Sequence, residues 1–168
     1  MFTLNGTVVL ITGAGSGIGA ASAKTIAQAG GRVALAGIPA TDVKQTAAEI
    51  IAAGGDAIAL STDVTDDSQV QAAVAATVRA FGQLDAVVAN AGVQRHQTDV
   101  DLHTMSEEEW ERTQDVNLRG VTRTCKHALA QMIEQGSGGA VVIMSSVTAL
   151  NGRTPNVSYM TTKTGLLG

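Results

Sequence analysis

The chain has 168 residues and a mild net charge of −4, with its 15 acidic and 11 basic side chains scattered along it. That length suits a single domain able to bury about two thirds of its unfolded surface, and the weak, dispersed charge gives no footing for nucleic acid or an anionic membrane surface. The one cysteine, Cys125, excludes an internal disulfide and reads as a small buried residue on a helix, and aromatics are so scarce that Ala, Val, Ile and Leu must fill the core, as suits helices lying on a parallel sheet.

The first predicted element is Thr7-Val-Val-Leu-Ile-Thr12, a β-rich run that leads into Gly13-Ala-Gly-Ser-Gly-Ile-Gly19. An alanine-rich segment of helical propensity follows, Ala20 to Ala29. Strand, glycine turn and helix start together make a diphosphate cradle: bare helix N–H groups face the ligand, the helix dipole favours an anion, and glycine lets backbone approach closely. The competing reading is that these glycines serve only a tight turn and close helix packing. The literal G-x-G-x-x-G spacing is absent, because Ile18 stands where the third glycine counted from Gly13 would be. No Gly-Lys-Ser/Thr occurs, which argues against a P-loop ATPase or GTPase.

Arg32–Ala36 is expected as the second strand and Ala57–Ser61 as the third. Between them Val43, Ala47, Ile50 and Ile51 repeat at helical spacing behind the cap candidates Thr41 and Asp42. Val70, Val74, Thr77, Val78 and Phe81 do the same behind Asp66. Strand four is Ala86–Asn90, and a polar excursion from Gln94 to Met105 follows, either substrate-facing or solvated. Ser106-Glu-Glu-Glu109 opens a helix whose acidic first turn complements the dipole. It runs through Asn117 toward Glu134 with an apolar stripe of Val121, Cys125, Leu129, Met132 and Ile133, which faces the core, a partner subunit, or both. After a Gly136–Gly139 turn, Ala140–Ser146 reads as strand five, delivering the Ser146 hydroxyl to a sheet edge. A last helix is expected from Ser158 to Gly168. Alternating strand and helix patterns imply an α/β fold, a doubly wound parallel sheet. His96, His103 and His127 lack metal-ligand spacing. No leader is visible and no apolar run reaches the ~20 residues of a membrane span, so a cytoplasmic protein is expected.

Tyr159, the sole tyrosine, and Lys163 lie at i and i+4, on one helix face. A tyrosine used as a general acid or base near neutral pH needs its pKa drawn down from about 10. A lysine ammonium one turn away supplies the right charge, and a hydroxyl such as that of Ser146 can donate to a developing oxyanion. Taken alone, the pair also fits a packed Tyr beside a solvated Lys.

Together, Thr12-Gly-x-x-x-Gly-x-Gly19, Asn90-Ala-Gly92, Asn117, Ser146 and Tyr159-x-x-x-Lys163 resemble, in order and spacing, the short-chain dehydrogenase/reductase family. The resemblance runs from the first strand to the last residue and implies a Rossmann-like dinucleotide-binding domain over residues 1–168. It implies an NAD(P)-dependent oxidoreductase with a small-molecule alcohol/carbonyl substrate, working as a homo-oligomer. Tyr159 would be the catalytic acid/base and Ser146 would orient the substrate oxygen. Lys163 would hold the nicotinamide ribose and favour the phenolate, and Asn117 would support a proton-relay water. Gly13, Gly15, Ser16, Gly17, Ile18 and Gly19, with Thr12 before them, would form the diphosphate site. Asp63 and Val64 would meet the adenine, and Asn90, Ala91 and Gly92 would line the ribose side.

Two departures bear on this reading. Gly37 ends strand two where an Asp or Glu would bind the ribose 2′-OH of NAD, and no Arg stands ready for the 2′-phosphate of NADP. Either cofactor is admissible, with a lean to NAD, because a desolvated phosphate without a cation binds poorly. Family members also continue past the Tyr-Lys helix with further strands and a substrate lid that this sequence lacks, which would leave strand five as an exposed edge. An alternative function is therefore a truncated, catalytically inactive dinucleotide-binding module. Gln94, His96, Thr148, Asn151 and Arg153 could all reach a substrate pocket, but no pair among them specifies the substrate.

Overall fold

The computed structural model describes residues 3–151 and 155–168. Five strands, β1 (Val8–Thr12), β2 (Arg32–Gly37), β3 (Asp56–Ser61), β4 (Ala86–Ala89) and β5 (Ala140–Ile143), form one sheet in the order β3-β2-β1-β4-β5. Every pairing is parallel, so each step needs a crossover. Helices α1 (Gly17–Gln28), α2 (Ala40–Ala52) and α3 (Asp67–Phe81) supply the first three. Helix α4 (Glu107–Gln114), a π-helical turn (Asp115–Arg119) and α5 (Gly120–Gln135) together supply the fourth. A short α6 (Thr148–Asn151) and α7 (Val157–Gly165) follow β5.

The period-two alternation of β1 shows why the sheet is covered on both faces. Val8 and Leu10 pack with Val74, Phe81 and Met132 from α3 and α5, while Val9 and Ile11 pack with Ala23, Val43 and Ile50 from α1 and α2. The fold is thus the doubly wound α/β sheet that the sequence implied. Among the described residues no helix is long and apolar enough to cross a membrane, and no group of His, Cys, Asp or Glu could hold a metal ion.

Three local expectations are corrected. Helix α2 starts from Pro39, whose φ of −67° and ψ of 154° are extended, and Thr41 and Asp42 lie in its first turn instead of capping it. The apolar stripe of α2 is narrower than predicted, and that of α5 divides between the core and the open face. Ile51, Leu129 and Ile133 are 56%, 46% and 77% exposed, because each follows a buried residue by one position and is turned out of the face. On α5 the buried positions are Gly120, Thr124, Ala128 and Met132, a strict i+4 series, with Val121 beside it. Finally, β5 stops at Ile143, paired with Ala89 where β4 ends; Met144 N makes a last bond to the Ala89 carbonyl. Ser146 therefore lies in the turn beyond the strand. The Asp66 and Ser106 caps are present: Asp66 accepts from the N–H groups of Ser68 and Gln69, and Ser106 from that of Glu109. The outer edge of β5 is open, with Val142 and Ile143 48% and 42% exposed.

Candidate active site

The strand order reverses between β1 and β4, and at such a point the loops leaving the strand ends diverge to leave a crevice. A cavity of about 420 Å³ lies there, lined by Gly13, Gly37, Ile38, Thr62 to Thr65, Ala91 to Val93, Arg112, Asp115 and Val116. It adjoins a second, of about 310 Å³, lined by Gly13, Gly15 to Ile18, Ile38, Asp42, Asn90 and Gly92.

The glycine loop is set by close packing and by one open position. A Cβ on Gly13 would stand 2.8 Å from Ala91 Cα, and one on Gly19 would fall on the Gly13 carbonyl oxygen. Gly15 passes equally close to Asp42 Cβ. Gly17 differs: its φ is +53° and its missing Cβ would point into open space. Ser16, the N-cap of α1, is extended and makes no side-chain cap bond, and the first turn carries no acidic residue. Uncapped N–H groups beside an open glycine suit the diphosphate of a dinucleotide. Exposed Ile18 and Ile38, 62% and 61% accessible, flank the opening.

Thr12 and Asn90 brace this loop. The Thr12 hydroxyl accepts from the N–H groups of Asn90 and Ala91, and Asn90 Nδ2 donates to the carbonyls of Thr12 and Gly13. Thr12 is 2% exposed, so it shapes the groove from beneath and has no surface left for a ligand. Asp63 Oδ1 accepts from both the N–H and the hydroxyl of Thr65, fixing the turn after β3. Val64 packs against Gly120, which has no room for a side chain there.

On the other side of β4 stand the groups suited to proton chemistry. Lys163 is 3% exposed, its Nζ donates to the Met144 carbonyl at 2.7 Å, and it lies 5.7 Å from the Tyr159 ring centroid. Burial pushes its pKa down from the ordinary lysine value. The same Nζ is 3.6 Å from where a Cβ on Gly92 would be, so the ammonium borders the groove wall. Ser146 Oγ accepts from the N–H and hydroxyl of Thr148. Asn117 is fully buried in the π-helical turn and spends both side-chain polar atoms on Val93, accepting from its N–H and donating to its carbonyl. Any proton relay at Asn117 would use its backbone, whose i+5 geometry departs from the α-helical ladder.

A profile of the short chain dehydrogenase family matches residues 7–168. This chain belongs to that family. Among curated relatives, the chain is 39% identical to short chain dehydrogenase/reductase astE of Aspergillus oryzae, covering 99% of this chain and 64% of that protein. It is 40% identical to the L-rhamnose 1-dehydrogenase (NAD(P)(+)) of Azotobacter vinelandii, over 95% of this chain and 62% of that one. The crystal structure of an NAD+-bound xylitol dehydrogenase superposes with a TM-score of 0.92 at 29% identity, covering 97% of this chain and 62% of the other. The chain thus spans less than two thirds of the length of these relatives.

Of the side chains that could reach a substrate pocket, two lie apart from the groove. Gln94 and His96 line a separate depression in their own loop, Thr148 is tied to Ser146, Asn151 ends α6 exposed, and Arg153 lies outside the described residues. Sequence reasoning missed Arg112, Asp115 and Val116, which line the groove from α4 and the π-helical turn, and Asp42, which lines it from α2. The Ser106 cap announced that helix, but only its packing reveals which face meets the groove.

Proposed function

We propose that this chain is the dinucleotide-binding and catalytic core, folded as one domain, of an NAD(P)-dependent oxidoreductase that transfers hydride between nicotinamide and an alcohol/carbonyl substrate. Tyr159 exchanges the proton with the substrate oxygen. Ser146 orients that oxygen, and Lys163 offers the positive charge that favours the phenolate. Asn117 supports proton passage from the buried side, while Gly13, Gly15, Ser16, Gly17, Ile18 and Gly19 cradle the diphosphate. Asp63 and Val64 receive the adenine, Gly37 and Ile38 the adenosine ribose, and Asn90, Ala91 and Gly92 the nicotinamide side. The bound nicotinamide supplies or accepts the hydride.

The observation that carries this reading is the place of one buried ammonium. Lys163 Nζ donates to the Met144 carbonyl, lies 5.7 Å from the Tyr159 ring centroid and stands behind Gly92 of the groove wall, which supports one charge serving both the nucleotide site and the phenol. The decisive assay follows the absorbance of reduced nicotinamide while the protein is offered a panel of polyols, sugars and ketones. Turnover that disappears in Tyr159→Phe supports the mechanism, and turnover that persists in that variant rules it out.

NAD is the favoured dinucleotide. Asp42 shares the wall of the second cavity with Gly15, Ser16 and Ile38, where its carboxylate would repel a 2′-phosphate and suit a 2′-hydroxyl. Exposed Leu129 and Ile133 on α5 support assembly into a homo-oligomer. A second reading, dinucleotide binding without turnover, is favoured by the open apolar surface beside Ser146, where Val147 and Leu150 are 75% and 78% exposed. Calorimetric affinity for a dinucleotide with no turnover on the panel would select it.

A further inference from the structure

Helix α7 has nine residues, too few for stability on its own. Its own sequence does little for its first turn. Asn156, the N-cap, has a φ of 92° and makes no side-chain cap bond. The missing cap comes from far away in the chain. Asp99, in the loop between β4 and α4, accepts from Ser158 N at 3.0 Å with Oδ1 and from Tyr159 N at 2.9 Å with Oδ2. Its side chain is 1% exposed, and a buried carboxylate is tolerated where two N–H groups at a helix N-terminus meet it.

We propose that Asp99 is a positioning residue that sets where the Tyr159 phenol stands, acting through the tyrosine's own backbone N–H. This rests on the reading of Tyr159 as the acid/base. One of the two donors belongs to the residue that bears the phenol, so a shift at the clamp is a shift of the reacting oxygen. The clamp is itself anchored. Asp99 N donates to the Arg95 carbonyl, and the Thr98 hydroxyl donates to Glu109 Oε2 at 2.8 Å. Glu109 lies on α4, is 5% exposed, and accepts from Thr113 with its other oxygen. The α4 segment that fixes Asp99 continues into the turn that holds Asn117 against Val93.

The other end of α7 has a different reference. Ser145 Oγ donates to the Lys163 carbonyl at 2.8 Å, and Lys163 Nζ donates to the Met144 carbonyl. Lys163 is therefore registered on the segment after β5, and Tyr159 on the loop after β4. Whatever displaces the Arg95–Asp99 part of that loop changes the phenol relative to the ammonium.

The test uses Asp99→Ala and Asp99→Asn in the intact protein. Asn keeps the shape but turns an NH2 toward one of the two N–H donors, and it carries the experiment if the alanine variant does not fold. In both, kcat should fall about 100-fold, the scale of a misplaced reacting group. The dissociation constant for NAD should stay within about twofold, and the Tyr159 amide proton should exchange faster with solvent. An unchanged kcat in a folded variant overturns the proposal, as does a Tyr159 amide that keeps its protection. Equal losses of kcat and NAD affinity, with early unfolding, also overturn it in favour of general support of the fold. If the parent protein turns over no substrate while Tyr159 amide protection is lost in the variants, the oxidoreductase reading falls and the Asp99 clamp stands.

Discussion

The two halves of the groove are built differently. The nucleotide half sits between strands buried on both faces, and its glycines are fixed by close contacts with Ala91 after β4, with Asp42 in α2 and with one another. The half with Tyr159 and Lys163 sits past the end of β5, an edge strand whose residues are mostly exposed, and it is held by a few bonds spanning 18 to 60 residues of sequence. Close packing, braced by the Thr12 and Asn90 side chains, fixes the first half. The second half owes its geometry to individual side chains, so single substitutions should separate chemistry from binding there and should not do so among the glycines.

The largest expected effect is Tyr159→Phe. It removes one hydroxyl and leaves the Asp99 clamp, which uses only the backbone N–H. The kcat should fall by about 10²–10⁴, the contribution of a positioned proton donor, while calorimetry gives an unchanged NAD affinity. Gly19→Ala should do the reverse. Its Cβ would fall on the Gly13 carbonyl oxygen, so the loop must yield; overpacking of this kind costs about 1–3 kcal/mol. Chemical denaturation should show that loss together with weakened dinucleotide binding. A Gly19→Ala protein that binds NAD normally would mean that close packing at Gly19 does not set the nucleotide half.

This contrast also explains what could be read in the sequence. The strands were legible because parallel strands covered on both faces are short apolar runs, and the Asp66 and Ser106 caps because a cap is local chemistry. The glycine loop was legible as a turn, but not the reason for each glycine: only contacts with Ala91 and Asp42, brought up by β4 and α2, distinguish Gly13 and Gly15 from the open Gly17. Ser146 was expected on a strand because Val141 to Met144 is apolar, whereas the end of the neighbouring strand at Ala89 decides where β5 stops. Asp99 had no signature, since nothing within the polar segment from Gln94 to Met105 points to a helix that begins nearly sixty residues later.

A smaller effect is expected from Asp42→Arg, which reverses the charge on one groove wall without touching the sheet. The ratio of kcat/KM for NADP over NAD should rise at least about tenfold, equivalent to about 1.4 kcal/mol. An unchanged ratio would move 2′-site selection to another wall of the groove, where Arg112 is the basic candidate.

The smallest effect concerns Lys163 and the pH dependence of stability. Burial lowers its pKa in the folded protein, while the unfolded chain keeps the ordinary value of about 10.4. Between those two values the native state has released the proton and the unfolded state still holds it. Stability therefore rises with pH across that window, and the cost of burying the charge is felt in full below it. Lys163→Met removes the titration, so the stability difference between parent and variant should shift toward the parent as pH increases through the window and stay flat below it. Denaturant midpoints measured at matched pH give this difference directly and cancel the other titrating groups. A difference independent of pH would mean that water reaches the ammonium, and with it the junction between the nucleotide half and the phenol.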